Sequence, residues 1–352
     1  MLKVPSILFQ PTLFGIMSYR FFILMLGLMG WGAQRTLGAS PDYFQQKVRY
    51  QIQVSLDPVH HVLHGHLRMD YTNQSPQALD RLVMHLHPNA YSSTRTAFAQ
   101  QQLAGGSTRF RFAPDSLRGG MDSLEFRVNG QKLRWEFWHA DTPDIATVYL
   151  EQPLMPGTTL TLETPFRVRV PGDFSRMGHV GNQYQITQWY PKPAVYDSKG
   201  WHPLPYLDQG EFFSEFGTFE VDITVPAHYR VASSGDLQTP SELQWLDSLA
   251  KDCASLDSFP ILSTRGDSLN PLPSTTKTLR YVLDQAHDFA WFCAPDYYVR
   301  QSKIEINGQE VKTYAFFTGR NKSWKDATLY VDSSVYYYSK WLGPYPYNTC
   351  TA

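Results

Sequence analysis

The stretch VRYQIQVSLDPVHHVLHGHLRMDY, residues 48–71, alternates apolar and polar residues twice over, and that alternation decides the fold class. Val48, Tyr50, Ile52, Val54 and Leu56 interleave with Arg49, Gln51, Gln53 and Ser55. Leu63, Gly65, Leu67, Met69 and Tyr71 then interleave with His64, His66, Arg68 and Asp70. A period of two sends alternate side chains to opposite faces of a pleated strand, so both runs predict half-buried β-strands. Leu82, Met84 and Leu86 against Val83, His85 and His87 continue the pattern, as do Phe219, Val221, Ile223 and Val225, which Pro226 stops. Asn129-Gly130, between 126–128 and 133–137, marks a two-residue hairpin, and Asn307-Gly308 marks another between 304–306 and 311–317. Residues 41–318 therefore read as a mainly β domain of several antiparallel sheets.

Two segments interrupt the strands. Residues 236–277 are rich in Ser, Asp, Pro and Thr and read as an inserted surface segment. Within it, Thr239, Pro240 and Glu242 predict a short helix opened by a capping box. Farther on, Trp324, Ala327, Val331, Val335, Tyr338 and Leu342 fall at spacings of 3, 4, 4, 3 and 4, one face of a helix over 321–342. A long helix after so many strands suggests that an α-rich domain begins at 321–352. The chain then runs through a Pro-aromatic turn and ends at Ala352, either at a terminus or at a cut.

With 352 residues, 42% of them hydrophobic, the chain has ample material for a buried core. A formal net charge of -1 gives no basic surface, so nucleic acid is excluded as the expected partner. Residues 1–39 read as a leader: Tyr19-Arg20 precede an apolar run over 21–31, and small residues follow at Gly32-Ala33 and Gly38-Ala39. That is the layout of a secretory signal peptide, with Met1 or Met17 as its start, and it predicts an extracytoplasmic protein, secreted or periplasmic. The run is shorter than the roughly 20 residues of a stable membrane span. Cys253, Cys293 and Cys350 are too few for a disulfide framework; Cys253 and Cys293 either pair or remain free thiols.

Motifs for chemistry are sparse. His60, His61, His64 and His66 crowd seven residues, either as metal ligands or, on the strand pattern, as a solvated edge. His85 and His87 read as ordinary surface or core positions. No zincin, P-loop, nucleophile-elbow or paired C-x-x-C signature occurs, so no catalytic residue and no metal site is expected in this chain. The most unusual stretch is 184–206, a connection carrying Trp189, Tyr190, Tyr196, Asp197, Trp201 and Tyr206 with four prolines. So aromatic a loop either packs inside the protein or lines a cleft, Trp189, Tyr196, Asp197 and Trp201 being the candidate cleft-lining residues.

Five stretches, in order, resemble the N-terminal region of the aminopeptidase-N-type zinc metallopeptidases, the gluzincins, in a divergent bacterial branch. They are LVMHLHPNA (82–90), QITQWYPKPAVYDSKGWHP (185–203), GTFEVDITVPAHYRVASSGDL (217–237), AHDFAWFCAPDYYV (286–299) and LGPYPYNTCTA (342–352). The resemblance implies a saddle-like β domain followed by the first helix of a truncated thermolysin-like domain, whose zinc ligands and general base would lie beyond Ala352. It implies zinc and a peptide substrate for the full-length enzyme, and an inactive chain here. It also places Gln188 in the strand that binds the substrate's α-amine, with Tyr190 where the family carries a second Gln or Glu. A tyrosine hydroxyl has no charge to offer an ammonium at neutral pH, so this departure weakens the expectation of strict aminopeptidase specificity. The competing reading is an independent secreted β-sandwich that binds a partner through the 184–206 loop.

Overall fold

The computed structural model describes residues 43–256, 258–260, 275–319 and 322–352; the expected leader and part of the 236–277 insertion lie outside the described residues. The Lys47–Asp57 and Val62–Thr72 strands pair antiparallel through all eleven residues, with the predicted apolar sets facing the core. They sit near the middle of a nine-stranded sheet. On one side Val62–Thr72 pairs with Thr159–Arg169, and on the other Lys47–Asp57 pairs with Gly217–Pro226, which in turn pairs with Thr276–Ala286. The Lys47–Asp57 and Gly217–Pro226 pairing is parallel, within sheets that are otherwise mainly antiparallel as expected. Some 160 residues separate these strands, so the connection is long enough to return the chain to the same end of the sheet.

Smaller sheets complete a mainly β, multi-sheet architecture. One orders Gly178–Val180, Gln183–Ile186, Trp291–Ala294 and Arg230–Ser233; another orders Lys192–Pro193, Leu79–His85, Ile145–Leu154 and Trp135–Phe137. Leu79–His85 is buried on both faces over its second half, so His85 and His87 both enter the core. Both Asn-Gly pairs turn as expected, with φ of 52° and 77° at 129–130 and 52° and 83° at 307–308. The first hairpin, however, closes Arg127–Val128 on Gln131–Lys132, while Trp135–Phe137 crosses to Ile145–Leu154 in another sheet.

The helix Pro240–Ala254 starts where Thr239 and Pro240 place it, but the capping box is absent. The Thr239 hydroxyl instead accepts from the Arg280 backbone N–H, and the Glu242 carboxylate pairs with Lys277 at 2.7 Å. All three cysteines are free. Helix Ala327–Leu342 packs on the hairpin Tyr298–Ile306 and Gln309–Phe317 through Val331 and Val335. Asp332 on this face accepts hydrogen bonds from Ser302 at 2.8 Å and Thr313 at 2.5 Å. The helix is therefore not without a partner. Tyr338 and Leu342, expected on its buried face, instead join Leu329, Tyr330, Tyr337 and Trp341 on the exposed side.

Gly65 shows how closely the large sheet is packed. The Phe166 ring on the neighbouring strand lies over it, and a Cβ at residue 65 would fall 2.1 Å from the ring tip. Phe166 is itself buried, so the ring has little room to retreat. Gly65→Ala is expected to cost about 1–3 kcal/mol in unfolding free energy by overpacking, read by denaturant melts. An unchanged midpoint would show that the ring swings clear.

Candidate functional site

Strand Gln183–Ile186 pairs with Trp291–Ala294, Ile186 opposite Trp291, and this pairing brings two distant segments together just beyond it. One is Gln188 to Lys192; the other is Asp288-Phe289. The Trp189 indole N–H donates to the Phe289 carbonyl at 2.9 Å, and its ring stands edge-on to Trp291. With Trp189 fixed in the core, the residues on either side of it are aimed. Gln188 takes a left-handed φ of 47°, a conformation that costs free energy for a non-glycine residue.

Both candidate substrate-binding side chains end on one carboxylate. The Tyr190 hydroxyl donates to Asp288 Oδ1 at 2.8 Å, and Gln188 Nε2 donates to Asp288 Oδ2 at 3.2 Å. The Phe289 backbone N–H adds a bond to Oδ1 at 2.8 Å, and Lys192 Nζ stands 3.5 Å from the same oxygen. Burial pushes the Tyr190 phenol well above its ordinary range, with the Asp288 charge adding to it, so the hydroxyl stays a donor. Burial also lowers the Lys192 pKa, an effect that the Asp288 charge opposes. Gln188 Oε1 is buried with no hydrogen-bond partner.

Asp288 lines a cleft of about 760 Å³, together with Gln185, His287, Trp324, Tyr345 and Tyr347. Gln188 and Tyr190 lie behind this wall and reach the cleft through Asp288. The four candidate cleft-lining residues are elsewhere. Trp189 is in the core. Tyr196 and Trp201 form the two-stranded hairpin Tyr196–Asp197 and Gly200–Trp201, their rings 5.0 Å apart. Asp197 pairs with His202 at 2.9 Å, which holds its carboxyl below the usual range although partial burial opposes it. Trp189, Tyr190 and Tyr206 are fully buried, so the 184–206 loop spends most of its aromatic surface on packing.

The histidines do not assemble a metal site. His64 and His66 are exposed on the polar face of their strand. His61 stacks on His179 at 3.7 Å and bonds the Tyr184 hydroxyl at 2.7 Å; His85 stacks on His87 at 4.8 Å. Interplanar angles of 19° and 18° send the ring lone pairs of each couple into separate planes, so one ion does not suit both rings. Among the described residues no group of three or more His, Cys, Asp or Glu side chains is arranged to hold a metal ion. These residues do not fit zinc. No described helix is long and apolar enough to cross a membrane.

No protein-family model matches the chain, and no curated protein matches it. Among solved structures it is similar to an M1 zinc metallopeptidase from Deinococcus radiodurans, 16% identical, over 89% of this chain and 57% of that one, with a TM-score of 0.48. It is also similar to a two-domain M1 zinc metallopeptidase mutant bound to L-arginine, 17% identical over 87% and 56% of the two chains, with a TM-score of 0.47. The chain thus spans somewhat more than half the length of these structures.

Proposed function

We propose that this chain is the substrate-facing β domain of an extracytoplasmic zinc metallopeptidase whose metal and catalytic groups lie outside residues 1–352. The observation that carries the reading is the convergence of Gln188 and Tyr190 on Asp288 at the wall of the cleft. A carboxylate fixed by several donors, backed by core aromatics and open to solvent on one side, suits the ammonium end of a peptide. The exposed side of helix Ala327–Leu342 supports the same reading. Trp341 is 67% and Leu342 82% exposed, beside Leu329, Tyr330 and Tyr337, and a catalytic domain would cover that apolar surface. The independent-module reading has less aromatic surface to draw on, because Trp189, Tyr190 and Tyr206 of the 184–206 loop are buried.

The test is to express the protein over its whole genomic reading frame beside residues 1–352 alone. The long form is expected to release N-terminal residues from peptides in a chelator-sensitive way, and the short form to show no such activity. Hydrolysis by residues 1–352, or none by the long form, would overturn the proposal. N-terminal sequencing of the exported protein is expected to show the leader removed.

A further inference from the structure

We infer that a second cavity, which shares a wall with the cleft but is not lined by Asp288, binds a quaternary or methylated ammonium group on a small molecule. The strand Gln309–Phe317 builds it by its period of two. Val311 and Thr313 turn toward helix Ala327–Leu342, so Glu310, Lys312, Tyr314 and Phe316 share the opposite face. Helix Pro240–Ala254 covers part of that face, with Leu246 in one apolar cluster with Tyr314 and Phe316. Between them is a cavity of about 300 Å³, closed by Tyr281 and by the short strands Asp236–Leu237 and Thr349–Thr351. Ser233, Gly235, Phe316, Thr349 and Thr351 line both this cavity and the cleft.

Three aromatic rings and an unneutralised carboxylate meet in this space. Tyr281, Tyr314 and Phe316 line it, the last two with ring centres 6.3 Å apart. Asp236 lines it too. Its Oδ2 accepts from Asn348 Nδ2 at 2.7 Å and its Oδ1 from the Thr349 hydroxyl at 3.3 Å, and both donors are neutral. Asp247, on the helix, adds a second negative charge: burial raises the Tyr314 phenol, and the Asp247 and Asp236 charges raise it further. Glu310 is already bound to Lys303 at 2.8 Å, while Lys312 is exposed and has no ion-pair partner among the described residues. Asp236 and Asp247 against Lys312 leave the unpaired charge around the cavity negative. Aromatic walls with a negative field attract a cation that carries its own apolar shell, because ring faces are electron-rich and offer no acceptors for the hydration of a bare ammonium. A trimethylammonium group meets both conditions.

The test is an NMR titration of the chain with choline and with neohexyl alcohol, its uncharged isostere in which carbon replaces nitrogen, melting temperatures being recorded for every variant. Wild type is expected to bind choline at least about fivefold more tightly than the isostere. Contacts from the choline methyl protons are expected to the Tyr281 and Tyr314 rings; contacts instead to Trp324 and Tyr347, which line only the cleft, overturn the assignment. Asp236→Asn is expected to abolish the preference while leaving neohexyl alcohol unchanged. Tyr314→Leu is expected to weaken choline by about tenfold, and Tyr314→Phe, which keeps the ring, to bind it nearly as wild type does. Lys312→Glu alters an exposed position and is expected to tighten choline several-fold. Equal binding of the two probes by the wild type, or a folded Asp236→Asn protein that keeps the preference, overturns the inference. If Asp236→Asn does not fold, a Lys312→Glu protein with no gain overturns it alone.

Discussion

Unfolding free energy is expected to fall as the pH drops from about 6.5 toward 4, and His85→Phe is expected to remove about one proton's worth of that slope. His85 ends strand Leu79–His85 with 4% of its surface exposed, between Ile145 and Lys192 on the neighbouring strands. Burial lowers its pKa from 6.5 to about 3, and the Lys192 charge acts in the same direction. The folded ring is therefore neutral where the unfolded ring already binds a proton. Each pH unit below 6.5 then costs up to about 1.4 kcal/mol, and the loss continues until the folded ring itself titrates near pH 3. His87, stacked on His85, is shifted downward by burial and adds to the same limb. His61 is lowered to about 4 beside His179, which is also lowered, although both rings are partly exposed and contribute less. The His85 Nδ1 has no hydrogen-bond partner, so a phenyl ring there forfeits no bond at that atom. Urea melts at pH 7, 5.5 and 4.5 read the slope. A folded His85→Phe protein with the wild-type pH dependence would refute the assignment.

Strand content was legible because it is local. In Lys47–Asp57 and Val62–Thr72 the period of two is unbroken, and burial follows it residue by residue. The Asn-Gly turns were legible for the same reason, since positive φ at both positions is a property of the dipeptide. What failed was whatever depends on which surfaces meet. The parallel pairing of Lys47–Asp57 with Gly217–Pro226 leaves no mark in either strand. Thr239 and Glu242 have the residues of a capping box, but Arg280 and Lys277 on the adjacent strand offer the better partners, and tertiary contacts prevail. Helix Ala327–Leu342 shows the same limit. Its apolar residues run nearly all the way round, so periodicity alone could not say which stripe would meet the hairpin.

The candidate site was half legible. Gln188 and Tyr190 are neighbours in sequence and their segment is distinctive in composition. Asp288 sits in a stretch whose resemblance was visible, but nothing in one sequence joins it to Tyr190; that link is made by the pairing of Ile186 with Trp291. Lys192 is equally invisible, since a lysine between two prolines reads as a surface loop and here is 2% exposed. Aromatic content by itself does not separate core from cleft. Trp189, Tyr196 and Trp201 were cleft candidates because they are large and clustered, which are also the properties that make a side chain good core material.

Glu215→Gln is expected to stabilise the protein by about 3 kcal/mol at pH 8 and to change little at pH 4.5 or below. Glu215 is 4% exposed, and its Oε1 has no hydrogen-bond partner. Burial raises its pKa from 4.5 to about 7; backbone N–H groups of Gln46 and Tyr196 oppose the shift, and the nearby Asp197 charge adds to it. A carboxyl whose folded pKa is raised is an asset only while protonated. Its contribution is complete below about 4.5, where both states hold the proton, and is lost as the pH climbs through 7. Glutamine keeps the shape, still accepts from the backbone donors, and never ionises. The wild type therefore has two opposed limbs, the buried histidines losing stability on the acid side and Glu215 losing it toward alkali. In Glu215→Gln the alkaline loss disappears and the acid slope between pH 6.5 and 4.5 steepens, because the histidines are no longer offset. Thermal or urea melts across pH 4.5 to 8 read both effects. Equal stability of the two proteins at pH 8 would mean that Glu215 finds a solvated or paired state when it ionises, and the hairpin Tyr196–Asp197 and Gly200–Trp201 beside it is where hydrogen exchange should then show an opening.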